Sequence, residues 1–320
     1  MVENVIEVKD LTKKYNAGDG KLVAVDKISF EVQKGEVFGL LGENGAGKTT
    51  TLEMIEGLRK PTDGEIKVLG HDVVHEVQDI KEKIGVQLQS SAYYDYLKLR
   101  EILDLFGSFY QKHLDPDDLF KMVGLESKAN QYIKNLSGGQ KQRFSIIASL
   151  INDPDIVFLD EPTTGLDPIG RRNTWDIIAK IKGKGKTIIL TTHYMEEAEI
   201  LCDRVAIMEK GKIITIGKPH KLIEQTKTPY KIEFVLAKED TSFIDRLMES
   251  CEAKDCDIKK LPGKTAHFEM NIRSQGLLNK AVEILQKENP ESFTIGRATL
   301  EDLFIELTGK TIADEENGNV

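Results

Sequence analysis

Cysteine is scarce in this sequence, and the shortage excludes two classes of protein. The three thiols, Cys202, Cys251 and Cys256, are too few and too irregularly spaced among 320 residues for a disulfide framework. Cys251 and Cys256 lack the second Cys or His pair that would complete a four-ligand zinc site, so all three read as ordinary reduced thiols. Long apolar runs are missing too. No stretch reaches the roughly 18 apolar residues of a spanning helix, and the longest candidates, Val37–Leu41 and Ile146–Ile151, are interrupted by polar or glycine residues. The opening MVENVIEVKD is acidic and lacks the apolar core of a signal peptide. Any action at a membrane therefore needs another chain to do the spanning. A basic excess is also absent: the net charge of −9 disfavours a general nucleic-acid binder.

What remains is globular. Apolar residues make up 40% and charged residues 30% of the chain, enough for a sizeable core in one large domain or two smaller ones. Val5–Val8 reads as a strand, and Ala24–Val32 alternates apolar and polar residues at period two. After a turn at Gly35-Glu36, Val37–Leu41 is a short apolar run of the kind buried in parallel sheets. A glycine-rich loop leads into a helix from about Lys48 to Glu56, closed by Gly57, and Gly64–Leu69 is another strand. The stretch from Leu97 to Ile147 has helical spacing. Ile156–Leu159 and Thr187–Leu190 are buried-strand candidates flanking a helix at Arg171–Lys182, and this alternation argues for an α/β core with a parallel sheet. A boundary falls near Lys218–Tyr230. Beyond it the order is strand Tyr230–Leu236, helix Ser242–Ser250, strands Asp255–Leu261 and Thr265–Ile272, helix Gln275–Lys287, strand Ser292–Ile295 and helix Leu300–Leu307. That βαββαβ order is the ferredoxin-like split unit. The expected organisation is a domain over 1–220, a small α+β domain over 221–310 and a disordered acidic tail over 311–320.

Two motifs in the first part carry chemistry. Gly42-Glu43-Asn44-Gly45-Ala46-Gly47-Lys48-Thr49, followed by Thr50, fits G-x-x-x-x-G-K-[ST] between a strand and a helix. Glycines let the backbone curl so that its N–H groups face phosphates, and the helix start adds its positive dipole end. Lys48 then reaches the β- and γ-phosphates of a nucleotide, and Thr49 offers a hydroxyl to Mg²⁺. Farther on, the apolar strand Ile156–Leu159 ends in Asp160-Glu161. Asp160 is placed to help hold Mg²⁺ and Glu161 to polarise an attacking water, although paired acids at a strand end are common without either role.

A third segment, Leu136-Ser137-Gly138-Gly139-Gln140-Lys141-Gln142-Arg143, separates the phosphate-loop families. With the two motifs above it resembles the ATP-binding-cassette (ABC) family over roughly residues 1 to 220. Ser137, Gly138, Gly139 and Gln140 open an apparent helix, a second anion-binding helix start in one chain. The resemblance implies a P-loop cassette fold with antiparallel β and helical subdomains, and a head-to-tail pair in which the loop of one copy and the signature of the other sandwich each ATP.

Further positions take roles from the resemblance. Gln89 looks like the glutamine that senses Mg²⁺ and the γ-phosphate, with Gln87 as its rival. Gly165-Leu166-Asp167 looks like the loop that bridges the two copies, with Thr164 and Gly165 where serine and alanine are commoner. His193 looks like the switch histidine on the γ-phosphate. Tyr15 looks like the aromatic that stacks on adenine, an ordinary surface tyrosine being the alternative. Stacking tolerates any base, so only a modest preference for ATP over GTP is expected. The segment Ser90–Arg100, with Tyr93, Tyr94, Tyr96 and Leu97, reads either as core packing or as a docking surface for a membrane subunit. Thr191–Glu199 and Leu300–Gly309 resemble the drug and antibiotic export branch.

The resemblance thus implies an ATPase that uses ATP and Mg²⁺ at the cytoplasmic face of the cell membrane. Its expected partners are a separately encoded transmembrane permease and a second cassette, with no nucleic acid. The C-terminal domain either steadies or regulates the pair, or only packs. A soluble cassette ATPase with no membrane partner is the alternative; the single P-loop and the acidic balance disfavour it.

Overall fold

A computed structural model describes residues 3–17, 20–88, 93–237, 241–250, 255–261 and 266–309. The chain divides into two compact units, the first ending at Pro219 and the second beginning at His220. The expected tail over 311–320 and Cys251 lie outside the described residues.

In chain order the first unit contains β1 (Asn4–Ala17), β2 (Gly20–Gln33), β3 (Val37–Leu41), α1 (Lys48–Ile55), β4 (Asp63–Val68), β5 (His71–Asp72), α2 (Val77–Lys81) and β6 (Ile84–Gln87). It continues with α3 (Leu99–Gly107), α4 (Pro116–Val123), α5 (Gly138–Ala148), β7 (Ile156–Asp160), α6 (Pro168–Gly183), β8 (Thr187–Thr192), α7 (Met195–Leu201), β9 (Arg204–Glu209) and β10 (Lys212–Gly217). A short helix, α8 (Pro219–Ile223), spans the division.

Two sheets share one core. The first is antiparallel in the order β2-β1-β4-β5. The second runs β10-β9-β3-β8-β7-β6, parallel from β9 to β6. Every residue of β3, β7 and β8 is buried, which explains their near-continuous apolar sequences. Phe30 of the first sheet stacks on Phe38 of the second, ring centroids 5.2 Å apart, and Ile6, Leu11, Val25 and Ile66 join Leu40, Phe158 and Ile189 around them.

Two features exceed the sequence reading. Strand β1 continues nine residues past Val8 through the polar Lys13-Lys14-Tyr15-Asn16; its register against β2 shifts at several points, and each shift breaks the period-two signal. The hairpin β9–β10 is not among the strands expected from the sequence. Its turn, Lys210-Gly211, has both φ angles positive (47° and 80°), as a tight two-residue hairpin turn requires.

The second unit contains β11 (Tyr230–Leu236), α9 (Thr241–Ser250), β12 (Cys256–Lys260), β13 (Ala266–Ile272), α10 (Gln275–Glu288), β14 (Ser292–Arg297) and α11 (Leu300–Thr308). Its antiparallel sheet is ordered β12-β13-β11-β14, so the crossovers β11–α9–β12 and β13–α10–β14 each straddle one strand of the other, as in a split βαβ unit. Alternation places Ile232, Phe234, Phe268 and Met270 on one face, against Phe243 and Leu247 of α9 and Ala281 and Leu285 of α10. On the other face Lys231 pairs with Glu269 (3.0 Å) and with Asp302 of α11 (3.1 Å). Among the described residues Cys202 and Cys256 are free and buried, and no helix is long and apolar enough to cross a membrane.

Candidate nucleotide site

Parallel pairing of three strands assembles the site. At the C-terminal ends Leu41 of β3 lies beside Thr192 of β8, and Thr191 of β8 beside Asp160 of β7. The loop after β3, Glu161 after β7 and His193 after β8 therefore open on one edge of the sheet, where α/β sheets bind ligands.

The loop from Gly42 to Gly47 needs its glycines. Gly45 and Gly47 have φ of 80° and 101°. A Cβ on Gly47 would lie 2.5 Å from the Ala24 carbonyl oxygen, and one on Gly42 would lie 2.4 Å from that of Met208. The hairpin turn braces the loop, because Gly211 N donates to Ala46 O at 3.0 Å. Helix α1 then starts with no side-chain cap on its N–H groups, the geometry that favours an anion. Lys48 is 4% exposed; its Nζ donates to Gly42 O (2.8 Å) and Glu43 O (3.0 Å) and stands 3.5 Å from Glu161 Oε1.

Two adjacent carboxyls are pushed in opposite directions. Burial raises the Asp160 pKa, opposed by hydrogen bonds donated to its Oδ1 by Thr191 and, at 3.2 Å, by Thr49. Glu161 is lowered to about 2. The His193 ring, Nδ1 3.3 Å from Oε2, is the largest cause; burial opposes it, and Lys48 and the Thr164 hydroxyl (3.0 Å) assist. Such divergence marks neighbouring acids with different work. The Glu161 backbone is left-handed (φ 47°), a strained conformation pinned by its N–H donating to Thr191 O and Oγ1.

The hydroxyl of Thr49 and the carboxylate of Asp160 converge from separate elements as hard oxygen donors, a set that fits Mg²⁺. Gln89, the other expected ligand, lies outside the described residues. Gln87 ends β6, buried, with its amide donating to Leu88 O at 2.7 Å.

The signature opens a separate helix, and its own capping bonds do not reach this cluster. Ser137 caps α5 in a reciprocal box with Gln140 (Ser137 N to Gln140 Oε1, 3.0 Å; Gln140 N to Ser137 Oγ, 3.3 Å), leaving Gly138 and Gly139 as its first turn. Asp167 likewise caps α6, accepting from Gly170 N at 2.7 Å. Tyr15, half-buried in β1, is flanked by Lys13 and Arg59 at 5.3 and 5.4 Å from its ring centre, and no bond joins it to the loop among the described residues. The structure thus gathers Lys48, Thr49, Asp160, Glu161 and His193, and leaves Ser137–Gln140, Asp167 and Tyr15 outside that cluster. It adds contacts from Thr191 and Thr164, to which the motifs gave no role at the acids, and from Gly211, which no motif marked. Two threonines beside an acidic strand end were the available signal, but only the β7–β8 register gives it meaning.

Fold and site together define a P-loop nucleoside triphosphatase of the cassette kind. A family model described as ABC transporter matches residues 25–164. The chain is 36% identical over 318 residues to Nod factor export ATP-binding protein I of Burkholderia lata, covering 97% of this chain and 98% of that one. It is 32% identical over 336 residues to phospholipid-transporting ATPase ABCA3 of Rattus norvegicus, covering 99% of this chain but 19% of that protein. The dimeric ATP-binding cassette MJ0796, solved in a post-hydrolysis state with ADP and Pi, superposes with a TM-score of 0.61 at 28% identity, over 67% of this chain and 98% of that one. The chain belongs to the ABC transporter family and is an ATP-hydrolysing subunit of a transporter.

Proposed function

We propose that two copies of this chain close head to tail around ATP and drive a separately encoded permease that exports an organic compound, with residues 1–220 as the cassette and 221–310 as an accessory domain. One observation carries this reading. Lys48, Asp160, Glu161 and His193 converge on one sheet edge, while the helix start at Ser137, a second anion-binding end, lies outside that cluster. Each chain then supplies half of two sites, and Asp167, beside Thr164 and Gly165, lies where the copies meet.

The resting hydrogen bonds define the chemistry. Lys48 and His193 hold Glu161 ionised with its pKa at about 2, which makes it a feeble base. The γ-phosphate of ATP competes for Lys48 and for the His193 ring. Moving Lys48 and His193 onto phosphate oxygens returns basicity to Glu161 as the substrate arrives, and Glu161 then takes the proton of the attacking water. Mg²⁺ when bound would be held by Thr49, Asp160 and Gln89 and would neutralise charge on the β- and γ-oxygens. Ser137 and the first turn of α5 cap the γ-phosphate from the second copy. Loss of that phosphate lets the pair part, and the open-close motion is what a membrane partner uses.

The pairing is tested by dilution. Specific ATPase activity should fall as the chain is diluted through its pairing threshold, and Ser137→Ala should lower turnover by at least about tenfold with nucleotide binding retained. Activity that stays flat on dilution and indifference to Ser137 would reject the paired site.

Attachment to the permease places the chain at the cytoplasmic face of the membrane. Of the segment Ser90–Arg100, residues 90–92 lie outside the described residues, and the remainder supports a docking role in part. Tyr93 is a packing residue: its hydroxyl donates to Ser145 Oγ at 3.2 Å and its ring meets Phe144 edge-on. Tyr94 and Tyr96 are 73% and 77% exposed. Arg100 is already bonded to Asp117 and lies over the Phe120 ring, so a substitution that reverses its charge would disturb α3 and α4 instead of reporting on docking. Tyr94→Ala is the cleaner variant, and it should reduce the ratio of turnover with the permease to turnover without it. An unchanged ratio would remove Tyr94 from the interface. For cargo, the resemblance of residues 191–199 and 300–309 to the drug and antibiotic branch supports a drug or antibiotic, whereas the relatives above are named for Nod factor and phospholipid. Compound-stimulated ATPase activity of the reconstituted complex, measured with each class, decides among them.

A further inference from the structure

Glu197, in the first turn of α7 and four residues after His193, is an acid with 0% of its surface exposed. Its Oε1 accepts a hydrogen bond from the indole Nε1 of Trp175 on α6 at 3.3 Å. Burial raises its pKa; the hydroxyls of Thr192 and Thr163, the Trp175 indole and the His193 ring lie around the carboxyl and oppose that rise. Its Oε2 and the Thr163 Oγ1 are both buried with no hydrogen-bond partner among the described residues, so these two groups act on each other without being bonded.

A buried acid that is only partly paired costs more than a hydrocarbon side chain of the same size. The contacts around Glu197 show what the acid does in return. Arg171 and Trp175 stand four residues apart on α6 and so share one face of it. The Arg171 guanidinium lies 4.6 Å from the centre of the Tyr194 ring, and Trp175 holds Glu197. Tyr194 and Glu197 flank the first turn of α7, which therefore meets α6 at two points. The same Tyr194 donates its N–H to Thr192 Oγ1 at 3.0 Å, and its ring centre lies 4.1 Å from that of His193. The turn 192–194, which presents His193 to Glu161, is thus tied to α6 through its immediate neighbours. Of the two ties the Glu197 bond is the one that reaches a wholly buried group, where low polarity strengthens a hydrogen bond.

We propose that Glu197 is a positioning residue for His193: bonded to Trp175, it fastens the first turn of α7 to α6 and so seats the imidazole against Glu161. It acts through His193 and takes no part in the chemistry itself. The inference rests on the reading of His193 and Glu161 as partners in hydrolysis, and adds to it the group that fixes their spacing.

The test is a double-mutant cycle on the full chain without nucleotide, read by guanidinium unfolding and circular dichroism. His193 is the largest cause of the lowered Glu161 pKa, so the stability lost on Glu161→Gln reports whether the ring is seated. In a Glu197→Leu background that loss should shrink to about half its value in the wild-type chain, because Lys48 remains while His193 is released. In a Glu197→Gln background it should be retained, since the amide oxygen still accepts from the indole. Trp175→Phe, which removes only the N–H donor side of the bond, should shrink it as Glu197→Leu does, and it carries the cycle alone if Glu197→Leu does not fold. In ATPase assays Glu197→Leu should lower kcat by about tenfold or more with KM for ATP near the wild-type value, and Glu197→Gln should keep most of the turnover. If Glu161→Gln costs the same stability in the wild-type, Glu197→Leu and Trp175→Phe backgrounds, the ring is seated without Glu197 and the proposal falls. If Glu197→Gln loses as much turnover as Glu197→Leu, the carboxyl acts other than by accepting this bond and the proposal also falls. If turnover survives both Glu161→Gln and His193→Ala, the hydrolytic reading fails, and the nucleotide-free cycle still decides the seating of the ring.

Discussion

Replacing Glu161 with glutamine separates the electrostatics of the site from its shape. Glutamine keeps an oxygen for the Thr164 hydroxyl but removes the charge that faces His193 and Lys48. In the folded chain the Glu161 pKa is lowered from 4.5 to about 2. At about 1.4 kcal/mol per pH unit, that fall corresponds to about 3 kcal/mol of stability at neutral pH. Part of it is offset, because Glu161 repels Asp160 and its removal relieves that buried carboxylate. The net loss should be about 2 kcal/mol, or a drop in Tm of roughly 4–8 °C for a unit of this size. The sign with pH follows from the depressed pKa. The contribution is complete above 4.5 and disappears as the pH falls through about 2. Guanidinium unfolding followed by fluorescence of Trp175, the one tryptophan of the chain, reads the first unit directly. The stability gap between wild type and Glu161→Gln should be constant above about pH 5 and close towards about pH 2. Phosphate release by the variant should fall by roughly 10²–10⁴ while ATP is still bound. A gap that does not change across this acid range, or turnover close to wild type, would refute the account of Glu161 as a base held in reserve by Lys48 and the His193 ring.

Asp160→Asn should behave differently from its neighbour. Burial already disfavours the Asp160 anion, so the variant should lose little stability, but the gain in ATP affinity on adding Mg²⁺ over EDTA should shrink by at least about tenfold. Gly47→Ala should cost about 3 kcal/mol in guanidinium unfolding and abolish nucleotide binding by isothermal titration, since the new methyl meets the Ala24 carbonyl and the backbone is left-handed. A Gly47→Ala protein with normal stability and affinity would show that the loop does not need this conformation.

The motifs were legible because phosphate chemistry ties residue types to fixed local spacings. A loop with glycines at 42, 45 and 47 ahead of Lys48, an apolar strand ending in two acids, and a Ser-Gly-Gly helix start each act over a few residues, so each can be read without knowing the fold. The buried strands β3, β7 and β8 were legible for a similar reason, as short apolar runs with polar flanks. Strand β1 was under-read because bulges interrupt its alternation, and β9–β10 because its importance lies in a turn that props a loop some 165 residues earlier, Gly211 against Ala46. Tyr15 shows the opposite limit. Its place in a family pattern was clear, yet its neighbours are Lys13 and Arg59, and the face it offers to a base depends on packing that no local pattern encodes.

By itself, then, the amino-acid order determined the chemistry of the chain: a phosphate cradle, a pair of acids, a second anion-binding helix end and no apolar run long enough to span a membrane. Only the tertiary structure decided which of these groups meet. Parallel pairing of β7 with β8 sets Thr191 against Asp160, the shared sheet edge brings Lys48 and His193 to Glu161, and the fold buries Glu56 with no hydrogen-bond partner among the described residues. The physical reason is range. Loop curvature and helix capping are settled within a few residues, whereas burial and pKa are set by neighbours that are distant in sequence and adjacent only once the sheets have packed.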